Sequence, residues 1–127
     1  MAIGEKVADE LNSKHGYAYE NNDETATYKE VVPGKIWIYF GKEDDDGGPY
    51  YGYWAENVSD ATRHNLAVAL SGFKFQDDGE VEDNGAQIYR TVDLSNSSSG
   101  EDTLVRGMID KMKKVESEYQ EVMNSAL

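Results

Sequence analysis

Residues 35–40 read KIWIYF, and this stretch decides what kind of fold the chain adopts. Its apolar side chains alternate with period two, which is typical of a β-strand whose successive side chains point to opposite faces of a sheet. Both sets are apolar, so the stretch predicts a central strand that is covered on both faces. One set is Ile36, Ile38 and Phe40, and the other is Trp37 and Tyr39.

Short segments on either side of this stretch are rich in tyrosine, threonine and valine, and they predict further strands. Turn residues separate them: Pro33-Gly34 before the central strand, the acidic loop 43–49 after it, and Asn84-Gly85, a favoured hairpin turn. The predicted strands are YAYEN (17–21), TATYKEVV (25–32), YYGYWAE (50–56), FKF (73–75) and AQIYRTVDL (86–94).

Three segments have helical periodicity instead. The first runs from Ile3 to His15 and ends before Gly16, and the second begins at Ser59 or Asp60 and ends at Gly72. The last helix has an apolar stripe on alternating steps of three and four residues, which predicts packing against the protein's own sheet or, alternatively, a homodimer seam. The stripe consists of Val105, Met108, Met112, Val115, Tyr119 and Val122.

The predicted order of elements is α-β-β-β-β-α-β-β-α, which defines one α+β domain over residues 1–127. We expect a mainly antiparallel sheet of about five to six strands and three helices. This order, together with the acidity of the chain, resembles the small dimeric secretion chaperones. That resemblance implies a homodimer that binds an extended client, although this chain is tyrosine-rich where those chaperones are leucine-rich.

The charge balance limits the kinds of partner. There are 25 acidic and 12 basic residues among 127, a formal net charge of −13, and no cysteine. Such a chain should repel nucleic acid and anionic membranes, and should attract basic protein surfaces at long range. No secretory signal and no apolar stretch of about 18 residues is present, so we expect a cytoplasmic protein.

No motif in the chain predicts catalysis or a cofactor. His15 and His64 have no metal-ligand spacing, the two acidic loops do not match an EF-hand, and no phosphate-binding glycine motif or nucleophile motif occurs. We therefore predict no catalytic residue, no metal and no cofactor, and we expect that the protein is not an enzyme.

Acidic and aromatic residues lie next to each other in the sequence and define the predicted binding site. Carboxylates would steer a basic partner toward the surface, and tyrosine and tryptophan are residues that anchor protein interfaces. The alternatives are that the acidic stretches are only solvated loops and that the aromatic residues are ordinary sheet residues. The predicted site consists of Glu43, Asp44, Asp45, Asp46, Tyr50, Tyr51, Tyr53, Trp54, Asp77, Asp78, Glu80, Glu82 and Asp83.

From these features we expect a non-enzymatic acidic binding protein that blocks a basic surface of a partner protein, which could be a nucleic-acid-binding enzyme. Immunity proteins that block nucleases and phage proteins that mimic DNA to block host defence enzymes belong to this class. The alternatives are the homodimeric chaperone-like module named above and, third, a small enzyme.

Overall fold

The computed structural model describes residues 3–21, 26–41, 49–72, 78–92 and 101–126. These form three helices and six strands in the predicted order. The helices are α1 (Ile3–His15), α2 (Asp60–Ser71) and α3 (Glu101–Ala126). The strands are β1 (Glu20–Asn21), β2 (Ala26–Val32), β3 (Ile36–Gly41), β4 (Tyr50–Ala55), β5 (Glu82–Asp83) and β6 (Gln87–Thr91).

The six strands form one antiparallel sheet in the order β1-β2-β3-β4-β6-β5. The α+β class and the order predicted from the sequence are therefore confirmed. β3 and β4 occupy the two central positions, so the KIWIYF stretch is a central strand, as its composition predicts.

All three helices pack against one face of the sheet, where they enclose a single hydrophobic core. Period-two alternation places every second residue of each long strand in this core. The fully buried strand residues of the core are Ile36, Ile38, Phe40, Tyr51, Tyr53 and Ile88. The helices contribute, among others, Val7, Leu11, Leu66, Leu70, Met108 and Met112.

The apolar stripe of α3 packs into this core. Met108, Met112 and Val115 are at most 1% exposed, and the other stripe residues pack against them while partly buried. Of the two alternatives for the stripe, the structure therefore has the intramolecular one. A seam between two copies along these positions would require side chains that already belong to the core.

The second apolar face of β3 is partly covered. Tyr39 is 2% exposed and Trp37 is partly buried, and none of the three described helices packs on this side. Aromatic rings with polar edges can pack on one another at a partly hydrated surface, so this side needs no helix to be covered in part.

The first strand is shorter than its composition predicts. The side-chain oxygen of Asn12 accepts a hydrogen bond from the Tyr19 amide at 2.9 Å, and the Asn12 amide donates to the Tyr19 carbonyl at 3.1 Å. Because the Asn12 side chain binds both backbone groups of Tyr19, Tyr19 does not pair with β2. Pairing begins only at Glu20.

The acidic segment before Asn84 is partly a strand rather than a loop. Glu82 and Asp83 pair with β6, and the predicted hairpin turn at Asn84-Gly85 joins the two strands. Gly85 has a φ of 100°, and the Asn84 side-chain oxygen accepts a hydrogen bond from the Gln87 amide at 2.9 Å. The predicted strand at 73–75 lies outside the described residues.

Gly52, at the centre of β4, is required by the spacing between β4 and β6. A Cβ atom at this position would lie 2.1 Å from the Ile88 carbonyl oxygen and 2.7 Å from the Tyr89 Cα atom. Both are backbone atoms, so they can move away only if the two strands separate. The close approach of these strands therefore depends on the absence of a side chain here.

We predict that Gly52→Ala lowers the free energy of unfolding by about 3 kcal/mol, because it forces two paired strands apart. Gly107→Ala in α3 is the matched control. A Cβ there meets nothing within 4 Å, and alanine should stabilise the helix by up to about 1 kcal/mol. Urea denaturation of both variants measures these changes, and a Gly52→Ala protein as stable as the unsubstituted chain would contradict the argument.

Candidate functional site

The face of the sheet that points away from the helices is the candidate functional site, and we call it the outer face. Strand register assigns its residues, because directly paired residues in an antiparallel sheet lie on the same face. It comprises Glu20, Tyr28, Glu30, Trp37, Tyr39, Gly41, Tyr50, Gly52, Trp54, Glu82, Gln87, Tyr89 and Thr91.

One row of the outer face crosses all six strands and carries three tyrosines with a glutamate at each edge. Read across the sheet, the row is Glu20, Tyr28, Tyr39, Gly52, Tyr89 and Glu82. The ring of Tyr50 lies 5.6 Å from that of Tyr39 and 6.5 Å from that of Tyr89, between centroids. Rings therefore surround the position where Gly52 has no side chain.

The next row contains both tryptophans of the chain. Trp37 and Trp54 are direct cross-strand partners, with Glu30 beside Trp37 on β2. Trp54 is 38% exposed, and its indole N–H donates a hydrogen bond to Glu56 Oε1 at 2.9 Å. Two indole rings at the surface thus lie between two exposed carboxylates, Glu30 and Glu56.

Charge is divided between the two faces of the sheet. The paired strand residues of the outer face include three glutamates and no lysine or arginine. The two bases of these strands, Lys29 and Arg90, are register partners of core residues and point toward the helices. The outer face is therefore aromatic and anionic along the described strands.

Both inward-facing bases are bound within the protein. Lys29 Nζ lies 2.7 Å from Glu116 Oε1 of α3, and between 5.4 and 5.8 Å from the ring centroids of three tyrosines. Arg90 is buried, and its guanidinium donates to the carbonyls of Gly79 at 2.8 Å and Leu70 at 3.2 Å. The three rings around Lys29 are those of Tyr17, Tyr19 and Tyr119.

The predicted aromatic residues separate onto two faces, as strand alternation requires. Tyr50 and Trp54 lie on the outer face, whereas Tyr51 and Tyr53 are fully buried in the core. We therefore remove Tyr51 and Tyr53 from the candidate surface. The outer face gains three partly buried aromatic residues that sequence reasoning did not assign to the site, Tyr28, Trp37 and Tyr89, whereas Tyr39 lies on the same side of the sheet but is buried.

The predicted acidic residues have different environments. Glu80 is exposed, and Glu82 lies at the edge of the outer face, where its carboxylate accepts a hydrogen bond from the Tyr89 hydroxyl at 2.7 Å. Asp83 faces the helices and pairs with Arg63 of α2. Asp78 is described below. Residues Glu43, Asp44, Asp45, Asp46 and Asp77 lie outside the described residues.

Asp78 belongs to a buried polar cluster beneath the sheet. Its carboxylate is 1% exposed and accepts hydrogen bonds from Lys111 Nζ of α3 at 2.7 and 2.8 Å, and from the Tyr51 hydroxyl at 2.8 Å. A carboxylate that is neutralised and enclosed in this way attracts no partner, so we remove Asp78 from the candidate surface. Its role is to attach the segment before β5 to α3.

Two sequence signals could have revealed the internal bases. Lys111 lies three residues after Met108 and four before Val115, on the apolar face of its helix. Arg90 lies between Ile88 and Val92 in the alternation of β6, on the core side. A base on an apolar face requires a buried acceptor, so an acid such as Asp78 is expected to be buried beside it.

The pKa directions follow from these environments. The hydrogen bond from Arg63 to Asp83, supported by the Gly85 amide, lowers the pKa of the Asp83 carboxyl. Burial raises the pKa of Tyr51 strongly, and its hydrogen bond to anionic Asp78 raises it further. Burial likewise raises the pKa of Tyr53, with a smaller contribution from the charge of Glu118. Both raised pKa values keep Tyr51 and Tyr53 neutral.

Within the described residues, no three histidine, aspartate or glutamate side chains converge as a metal site requires. None of the described helices has the length and apolarity to cross a lipid bilayer. The chain matches no protein-family model, no curated protein and no solved structure. Function must therefore be argued from the surface itself.

The buried ion pair yields one prediction. Lys111→Met should lower the free energy of unfolding by about 3–5 kcal/mol, because it leaves the Asp78 carboxylate buried without its cation. Adding Asp78→Asn should restore part of the loss. Lys114→Met is the control: its ion pair with Glu118 is longer, at 3.9 Å, and exposed, so its loss should cost less than about 1 kcal/mol. Equal losses for Lys111→Met and Lys114→Met in denaturant titrations would contradict the cluster's importance.

The two core tyrosines of β4 yield a second prediction. Tyr51→Phe should lower the free energy of unfolding by about 1.5–3 kcal/mol, because it removes a hydrogen bond to a charged acceptor. Tyr53→Phe should leave it unchanged or raise it by about 1 kcal/mol, because the Tyr53 hydroxyl is buried without a hydrogen-bond partner among the described residues. Thermal or urea unfolding distinguishes them, and similar losses in both variants would be inconsistent with this assignment.

Proposed function

We propose that this protein is a non-enzymatic acidic binding protein that attaches to a basic surface of a partner protein and blocks it, as inhibitors and nucleic-acid mimics do. One observation carries the proposal: within the described chain, the paired strand residues of the outer face include aromatic rings and three glutamates and no lysine or arginine, while Lys29 and Arg90 of the same strands point into the protein. A face with this composition is complementary to a cationic partner with apolar groups between its charges.

The two kinds of residue have different roles in binding. Carboxylates act at a distance, because the net charge of −13 raises the rate of encounter with a basic partner when salt is low. The rings act on contact, where partly exposed aromatic side chains such as Trp54 lose their remaining water. The carboxylates then set the association rate and the specificity for a basic partner, and the aromatic rings set the dissociation rate of the complex.

The described residues that flank the two acidic segments lie close together, which supports the proposal. Gly41 and Tyr50, which flank the acidic segment after β3, are cross-strand partners. The Val92 amide donates to the Pro49 carbonyl at 2.6 Å, and Val92 also forms a bridge with Asp78. The described residues next to both acidic segments therefore meet at one end of the sheet, beside Tyr50 of the outer face.

Selective neutralisation tests the proposal. One variant carries Glu30→Gln, Glu80→Gln and Glu82→Gln, which remove charge from the outer face and its edge. The matched control carries Asp9→Asn, Asp102→Asn and Asp110→Asn, which remove the same charge from exposed helix positions. Both variants are immobilised, and retained lysate proteins are identified by mass spectrometry and then purified.

We expect a basic protein that binds the unsubstituted chain and the helix-side control, and that binds the outer-face variant at least about tenfold more weakly. Its affinity should also fall as salt rises from about 0.01 M to about 0.15 M, since the Debye length shortens from about 30 Å to about 8 Å. An equal loss of affinity in both variants would contradict the proposal, because net charge alone, and not the outer face, would then determine binding. Binding that salt does not change would refute a carboxylate-led interaction.

A further inference from the structure

The tryptophan row of the outer face is a second feature that points to a ligand. Trp37 and Trp54 lie side by side on the two central strands, and Trp54 is one of the two large apolar residues classed as exposed in the described chain. The hydrogen bond from its indole to Glu56, at 2.9 Å, orients the ring beside a carboxylate. Two ring systems and a fixed anion are thus available at one surface.

The carboxylates at this row have no cationic partner within the part of the chain that the structure describes. Among the described residues, no lysine or arginine nitrogen lies within 4.0 Å of Glu30 or Glu56. Elsewhere the chain supplies such a cation, as Lys111 does for Asp78 and Arg63 does for Asp83. Exposed Lys35 is a backbone partner of Glu56, whose amide donates to the Lys35 carbonyl at 2.8 Å, but its ammonium group forms no ion pair with either acid among the described residues. Among the described residues, the Gly34 amide donates to Glu30 Oε2 at 3.3 Å and the Trp54 indole donates to Glu56 Oε1, so the other acceptor positions of these two carboxylates are left to an external group.

Chemistry selects the kind of cation. A guanidinium group is planar and weakly hydrated, stacks on indole faces, and offers several N–H donors to a carboxylate. An ammonium group is compact and strongly hydrated, and gains less from a flat ring. A flat aromatic surface edged by carboxylates therefore favours arginine over lysine.

We infer that Trp37 and Trp54, with Glu30 and Glu56 at their two sides, form a receptor for an arginine side chain of the partner protein. This inference rests on the proposed function and adds the residue class that the partner must present. The guanidinium plane lies over the indole of Trp54, and its N–H groups donate to the free acceptor positions of the Glu56 carboxylate. Glu30 supplies a second anion beside Trp37.

Two peptides of equal length and charge test the inference, one with arginine and one with lysine as its only bases. The chain has two tryptophans, both in this row, so intrinsic tryptophan fluorescence reports on the receptor directly. We expect the arginine peptide to bind about threefold to tenfold more tightly, which corresponds to the range of exposed cation–π energies and a carboxylate bond.

Substitutions then locate the preference. Trp54→Leu should reduce the affinity for the arginine peptide to that for the lysine peptide, and should leave the lysine peptide's affinity unchanged, with Trp37 as the remaining reporter. Glu56→Gln keeps the ring and should also reduce the arginine preference. Asp110→Asn removes one exposed charge from α3 and should not change it.

The outcomes separate this inference from the proposed function. Equal, salt-sensitive binding of both peptides would overturn the arginine receptor and leave the basic-partner proposal standing. A preference for arginine that persists in Trp54→Leu would place the recognition elsewhere and also overturn it. A homodimer that Trp54→Leu dissociates, measured by sedimentation, would assign this face to a second copy of the chain. Absence of binding by either peptide at low salt would count against both proposals.

Discussion

The register between β3 and β4 is the constraint on which the rest of the structure depends. It places Tyr39 opposite Gly52 and Trp37 opposite Trp54, and it directs the intervening residues of both strands into the core. A shift of one residue would exchange the two faces, exposing isoleucine and burying tryptophan beside glutamate. The close contact of Gly52 with the backbone of β6 also fixes how β6 is aligned against β4. The pairing of β3 with β4 thus determines which residues form the core and which form the outer face.

Strand alternation explains which parts of this arrangement could be predicted. The division of Ile36 and Ile38 from Trp37 and Tyr39 is local information, and so are the hairpin turn at Asn84-Gly85 and the cap at Ser59. The environment of Asp78 is not local, because its cation Lys111 lies 33 residues away on another element. A run of acids in sequence therefore predicted a single anionic patch, whereas folding divides the described part among a buried pair, a helix-facing pair and an exposed edge.

The same long-range pairing determines where the negative charge can act. Lys29 of the sheet and Lys111 of α3 bind carboxylates inside the protein, Glu116 and Asp78 respectively. Each such pair removes one acid and one base from the surface together, so the net charge is unchanged and the remaining acids dominate what a partner meets. An acidic chain with few bases can in this way present a nearly pure anionic face without placing like charges in its core.

The edges of the sheet indicate why a partner would use the face rather than add a strand. Both edge strands, β1 and β5, have two residues within the described ranges, and each begins with an exposed glutamate. Short acidic edges offer few backbone groups for strand addition and repel another acidic edge. Side-chain recognition on the outer face needs no free edge, and it allows discrimination by residue type, which backbone pairing does not. Under the proposed function, rings and carboxylates on the outer face would select a basic partner better than an open edge would.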